Sequence, residues 1–346
     1  MSSTSIRSTT APTQDNWGRG LGLCSGQREP EHIVAAVHEI EAGSLQLSEA
    51  NESTFKLPSP FADFLDRIRD QLINGIGFSV LRGLPIDSWS ARQASIAYLG
   101  IGSYIGRRLS QNRRGHMLGH IKDLAEGKEV NGEGRIYRTQ KAQTYHTDES
   151  DIVGLLCLHQ AMEGGESQVV SSHNIYNTLT REKPDILRQL CLPQWFCDRK
   201  GETSEGEKEW MRTPGYYSYK GKLSMKWDPH YVEALQRFWD TGLLPQYTDS
   251  QREAIQVMEE MCRRLSLEMT LQKGDIQFVA NTHNLHARSA YKDDNDVTKK
   301  RWLQRLWLAT SKEEGGWPLP FADSQYAKRG GVQVNETPES YPTEAE

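Results

Sequence analysis

Tyr145-His146-Thr147-Asp148-Glu149-Ser150 runs almost directly into the apolar stretch Ile152-Val153-Gly154-Leu155-Leu156-Cys157-Leu158. An unbroken apolar run of this length fits a strand buried on both faces. If the chain is already extended at His146, the two-residue period of a strand sends His146 and Asp148 to the same face. One imidazole and one carboxylate then converge on one point, as two thirds of the 2-His-1-carboxylate face that holds non-haem iron and leaves positions open. His-x-Asp alone is weak evidence, because a histidine capping or hydrogen-bonding in a loop gives the same pattern. The assignment needs a second histidine and a use for the open positions, both from elsewhere in the chain.

The chain has 346 residues, which suits one large sheet domain with decorated ends. Nine Trp and thirteen Tyr within 36% hydrophobic residues supply a sizeable core. Forty-one basic residues face 46 acidic ones, with no long run of one sign, so neither nucleic acid nor an anionic membrane surface is expected as a partner. The five cysteines (Cys24, Cys157, Cys191, Cys197, Cys262) contain no Cys-x-x-Cys, which points to a reducing compartment and thiols used for packing. No stretch approaches the length of a membrane span and no apolar leader region is evident, so a soluble cytoplasmic protein is expected. The composition leaves a homo-oligomer open.

Residues 1–15 are Ser/Thr-rich, and Gly, Pro and Glu dominate 328–346; both are expected to be disordered tails around one folded domain over 16–327. Helical spacing over Pro60–Ile76 precedes the strand pattern Phe78-Ser79-Val80-Leu81-Arg82. Ser88–Ile105 is expected to be helical, and close helix packing accounts for its Gly100-Ile101-Gly102 better than a dinucleotide fingerprint. His116 and His120 have helical ligand spacing but lack an acidic partner nearby. The charged stretch Lys122–Gln143 fits a lid or a plain surface loop, and Asp198–Thr213 another flexible insertion. After Gln168-Val169-Val170-Ser171, expected as a strand, Pro184 opens a helix to Leu190, Asp228-Pro229 starts a second, and Thr248 and Gln251 stand in capping-box spacing at a third.

The last third is strand-like. Leu267, Met269 and Leu271 alternate, Lys273-Gly274-Asp275 turns, and Ile276, Phe278 and Ala280 alternate again. Two histidines follow, His283 and His286, and spacing alone does not choose between them as third ligand. In Arg301-Trp302-Leu303-Gln304-Arg305-Leu306-Trp307-Leu308, period two puts Arg301, Leu303, Arg305 and Trp307 on one face. If that face is inward, two guanidiniums are buried and must meet anions, for which carboxylates are the natural partners. Internal Asp or Glu, or an edge strand with wet arginine tips, would serve equally well.

Taken together and in this order, His146-x-Asp148, Gly164-Gly165-Glu166-Ser167, Gly274-Asp275-Ile276-Gln277-Phe278, Leu285-His286-Ala287-Arg288 and Arg301-x-x-x-Arg305 resemble the taurine dioxygenase (TauD/TfdA-like) family, in its fungal and bacterial branch. The resemblance runs from about Pro58 to Pro320. It implies a mixed α+β chain with a double-stranded β-helix (jelly roll) core and flanking helices. It also implies an Fe(II)- and 2-oxoglutarate-dependent oxygenase that consumes dioxygen and releases succinate and carbon dioxide. By the same resemblance His146, Asp148 and His286 are the metal ligands. Arg301, with Ser167 where relatives often have Thr, grips the distal carboxylate of 2-oxoglutarate, and Arg305 meets an anionic group of a small substrate. The stretch Ala287–Lys300 is longer than in the smallest members. The rival expectations are a metal-dependent hydrolase or lyase with the same three ligands, and a non-catalytic jelly roll that binds a small acid.

Overall fold

The structure is a computed structural model, and it describes residues 29–124, 136–199, 201, 203, 205–229, 234–310, 316–318, 332 and 337–345. Three helices come early in the chain: α1 (Glu29–Ala42), α2 (Ser59–Asn74) and α3 (Ala91–Ile105). Strand β1 (Phe78–Leu81) lies between the last two, and β2 (Arg107–Leu109), β3 (Leu118–Lys122), β4 (Gln143–His146), β5 (Ile152–His159) and β6 (Ser167–Ser171) follow. Helices α4 (Ser172–Glu182), α5 (Pro184–Cys191) and α6 (Asp249–Leu265) precede β7 (Leu267–Met269), β8 (Ile276–Ala280), β9 (Asn284–Arg288) and β10 (Trp302–Ala309).

The strands form two antiparallel sheets. In the six-stranded sheet β1, β8, β5 and β10 are successive neighbours, and the far side of β10 is shared by β3 along Trp302–Leu306 and β2 along Trp307–Ala309. The four-stranded sheet runs β7, β6, β9, β4. β5 leads through Glu163–Gly164 into β6 of the other sheet, and β8 through Asn281, Thr282 and His283 into β9, so consecutive strands wind from sheet to sheet. Val153, Val279 and Trp307 of the larger sheet pack against Val169 of the smaller. The larger sheet's other face, through Ile152, Leu156, Phe278, Leu306 and Leu308, packs on α1, α2 and α3, while Val170, Leu285 and Ala287 of the smaller pack on α4, α5 and α6. The result is four layers, helices outside and sheets inside, each sheet burying both faces.

Strand β10 shows why this order suits the sequence. Its even-numbered residues meet helix: Leu306 and Leu308 join the helical core and Gln304 donates to Ser95 Oγ of α3 at 2.7 Å. Its odd-numbered residues Leu303, Arg305 and Trp307 face the opposite sheet. The expected face is therefore the inward one, on a central strand. Capping also follows the sequence, since Ser90 and Thr248 each accept from the N3 amide and are capped in return by Gln93 and Gln251.

Gly100 packs against the Phe55 ring, where a Cβ would lie 2.2 Å from Phe55 Cγ, so these glycines serve helix packing. Gly274, at φ 85°, makes the turn into β8 under the Leu84 carbonyl. Four expectations are altered. His116 and His120 lie in and beside strand β3 rather than on a helix. The stretch Asp198–Thr213 is closed by a hairpin, Trp195–Asp198 against Trp210–Thr213. Leu271 lies beyond the end of β7. Residues 337–345, placed in a disordered tail by composition, dock on the fold through backbone bonds from Met117 N to Ser340 O (2.8 Å) and Ser340 N to Gly115 O (2.9 Å). The tail at 1–15, most of the helix beginning at Asp228-Pro229 and the centre of Lys122–Gln143 fall outside the described residues. No described helix is long and apolar enough to cross a membrane.

Candidate active site

β4 and β9 are adjacent, and their register sets His146 opposite His286. The imidazoles lie with centroids 4.2 Å apart. Asp148 stands just past the end of β4, its backbone amide donating to Asn281 Oδ1 at 3.1 Å. Its carboxylate is 3.8 Å from His146 Nε2 and 3.5 Å from His286 Nε2. One ligand atom from each of the three lies within 4.8 Å of the others, all three side chains are largely buried, and among the described residues this is the one such cluster. His146 Nδ1 donates to the Thr144 carbonyl at 2.9 Å, which puts the ring's lone pair on Nε2, where Gln143 Nε2 donates at 3.0 Å and a metal would have to displace it. Burial pushes the Asp148 carboxyl up, but Arg305 and the imidazoles of His286 and His146 outweigh it and hold the group well below the usual carboxylate range. Burial, with His146 beside it, lowers His286, which favours the neutral imidazole a metal needs.

The cluster opens into a cavity that Ser167, Arg288, Arg301 and Arg305 also line. Arg305 donates through Nε to Gln111 Oε1 at 2.8 Å, and its Nη1 is 3.7 Å from Asp148 Oδ1. Arg301 has no carboxylate within ion-pair distance among the described residues, and its buried Nη1 has no hydrogen-bond partner. Its guanidinium lies over the Tyr291 ring, 5.0 Å from the centroid, with Arg288 at 4.6 Å from the same centroid. Burial lowers Arg301, and burial with repulsion from Arg301 lowers Arg288 to about 10. Two buried guanidiniums thus share one aromatic face inside the cavity, an arrangement that favours an anion there. Ser167 donates to Gln277 Oε1 at 2.8 Å, so giving its proton to a ligand requires the hydroxyl to swing away from Gln277.

His283, the competing histidine, lies 5.6 Å from His173 and 5.0 Å from Trp317, centroid to centroid, in a stacked group away from this cavity. His116 and His120 bond Asn112 and the Pro342 carbonyl. Gln143 and Gln111 were not singled out by sequence reasoning, and Arg288 entered it only as the end of the Leu285-His286-Ala287-Arg288 motif, without a role. Gln143 Nε2 is 3.0 Å from His146 Nε2, although period two would turn it away from His146. Between His286 and Arg288 the facing stretch of β4 carries one extra residue, and that bulge re-aims Gln143. Arg288 follows His286 by two residues and so shares its face, a signal period two did carry; its amine groups tie the Thr139 carbonyl at 3.3 Å and that of Lys141.

A family model described as "Taurine catabolism dioxygenase TauD, TfdA family" matches residues 42–307. The chain belongs to the TauD/TfdA family. FR-33289 synthase of Streptomyces rubellomurinus is 32% identical to this TauD/TfdA chain over 246 residues, covering 69% of it and 70% of that protein. Taurine hydroxylase-like protein SAT17 of Stachybotrys chartarum is 30% identical over 304 residues, 86% and 77% of the two chains. Among solved structures, asparagine oxygenase with Fe(II), 3-hydroxyasparagine and succinate superposes with TM-score 0.67 at 15% identity, covering 91% of this chain and 99% of that one. The non-heme iron oxygenase OrfP with Fe and alpha-ketoglutaric acid does so with TM-score 0.63 at 15% identity, covering 83% and 93%. The likeness establishes the double-stranded β-helix. Family and site together make this a 2-oxoglutarate-dependent dioxygenase that works with Fe(II), 2-oxoglutarate and dioxygen.

Proposed function

We propose that this oxygenase acts on a small amino-acid-like substrate carrying an anionic group, which Arg305 receives. His146, Asp148 and His286 hold the iron, Arg301 and Ser167 hold the distal carboxylate of 2-oxoglutarate, and the enzyme works in the cytoplasm. The observation that carries this reading is the buried, carboxylate-free guanidinium of Arg301 in one cavity with the His-Asp-His cluster and Arg305. The donor set fits the metal, since two imidazoles and an ionised carboxylate on one side suit Fe(II) and leave positions open. The cavity fits the co-substrate, since a dianion entering it meets the guanidiniums of Arg301 and Arg288.

Bound there, iron and 2-oxoglutarate supply oxidative decarboxylation coupled to hydrogen abstraction from a substrate C–H, the common start of hydroxylation, desaturation and ring closure. The chain's residues position and shield. Arg305, held by Gln111 and leaning toward Asp148, has its guanidinium over the rings of Tyr137 and Trp307, each 4.9 Å from the centroid. A substrate carboxylate on that guanidinium is thereby drawn toward the metal ligands. The 3-hydroxyasparagine of the asparagine oxygenase complex and the 3-hydroxyarginine of an OrfP complex support an amino-acid-like substrate. The four free cysteines described fit a reducing compartment.

Succinate formation with a panel of small amino acids, their N-acyl derivatives and matching amines tests this reading. Acids are expected to stimulate turnover, and Arg305→Gln is expected to raise KM for an active acid about tenfold or more, with the co-substrate KM little changed. Stimulation by amines lacking an anion, with Arg305→Gln indifferent, would contradict it.

A further inference from the structure

A second, smaller cavity shares Arg305 with the first and is lined also by Tyr137 and Arg138 and by Pro342 and Glu344 of the C-terminal segment. Residues 337–345 are fixed there by a built set of contacts. Met117 N donates to Ser340 O and Ser340 N donates to Gly115 O, a parallel bridge that extends the chain entering β3. His120 Nε2 donates to the Pro342 carbonyl at 2.9 Å, while its Nδ1 accepts from Trp302 Nε1 at 2.9 Å, so one neutral tautomer ties the segment to β10. The Tyr341 ring lies under Arg108 and against the helical core. Gly115 leaves room for this approach: at φ 73° a Cβ on it would sit 2.1 Å from the Pro338 carbonyl oxygen. The segment itself lies beyond residue 307, where the family match ends, while the residues that hold it lie within the match.

We propose that residues 337–345 form the outer wall of the substrate chamber, and that this wall limits the substrate to a small anion held at Arg305 and Arg138. The inference rests on the assignment of Arg305 to the substrate made above. A fixed backbone wall sets size more strictly than a mobile side chain, because moving it breaks several hydrogen bonds at once.

Arginine labelling with reagents of two sizes tests the wall without knowledge of the substrate. Butane-2,3-dione and 4-hydroxyphenylglyoxal are each reacted with the full chain, with a chain ending at Glu336 and with Ser340→Pro, and Arg305, Arg138 and Arg301 are followed by peptide mass mapping. In the full chain the larger reagent is expected to modify Arg305 about tenfold more slowly than the smaller one, and in both altered chains that difference is expected to disappear. Anaerobic Fe(II) with 2-oxoglutarate should protect Arg301 in all three. Equal size discrimination with and without the segment would overturn the proposal. So would loss of Arg301 protection in the shortened chain alone, which would make the segment a prop for the whole site. Absence of that protection in the full chain would instead count against the co-substrate assignment, and the Arg305 rates would still decide the wall.

Discussion

Asp148 is pulled in opposite directions: burial favours the acid, while Arg305 and two imidazoles favour the carboxylate and prevail. Metal binding requires the ionised form, so the Arg305 proposed above to receive the substrate would also favour the metal-binding state of Asp148. Removing that cation lets the folded-state pKa of His286, which Arg305 also lowers, rise together with that of Asp148, and protons then compete with the metal at higher pH. Arg305→Gln is accordingly expected to shift the acid limb of Co(II) binding, followed by its visible spectrum, upward by about one pH unit. An unshifted limb would show that the guanidinium does not tune the ligand. His283 is a separate titration. Burial first, then the neighbouring His173, lowers it to about 3 from an unfolded value of about 6.5. Between these values the unfolded chain holds the extra proton, so stability is full above about 6.5 and falls as pH drops toward about 3. Thermal unfolding of His283→Gln should depend less steeply on pH across that window than wild type, and an identical slope would place the acid sensitivity elsewhere.

Among the elements, β10 was legible because a two-residue period assigns every side chain once the inward face is known, and burying Arg301 with Arg305 forced an anion into the argument. His146 and Asp148 converge as the period indicates, although β4 ends at His146 and an Asn281 contact carries the turn to Asp148. The bulge that re-aims Gln143 had no sequence signal, since it depends on how β4 meets β9. Gln111 was equally hidden, its bond to Arg305 spanning 194 residues of chain. Composition misjudged residues 337–345 because their order comes from a partner edge rather than from their own hydrophobicity. Gly100 tests the packing of α3: Gly100→Ala must displace the Phe55 ring and is expected to destabilise by about 1–3 kcal/mol in urea unfolding. Little change in stability would mean that Phe55 relaxes freely.

At the scale of the whole molecule, the residues lining the cavity come from both sheets and from the connections between them, so filling the cavity links the layers. Anything bound by the folded state alone stabilises it by mass action, by about 2.7 kcal/mol at a hundredfold excess over Kd. Fe(II) and 2-oxoglutarate together, under anaerobic conditions, should raise the melting temperature more than either alone, and His146→Ala should abolish the joint increment. Equal increments in that variant would place the binding outside the His-Asp-His cluster. The family match runs from residue 42 into β10 and so takes in the strands of both sheets.

The most direct measurement is an anaerobic titration with Fe(II) and then 2-oxoglutarate, recording the weak visible charge-transfer band of the chelated co-substrate. The band is expected in wild type, absent in His146→Ala, Asp148→Ala and His286→Ala, and shifted to about tenfold or more higher 2-oxoglutarate concentration in Arg301→Ala, with Arg305→Ala close to wild type. A wild type that binds Fe(II) and 2-oxoglutarate without the band, or a band indifferent to these three ligands, would contradict the assignment of the site.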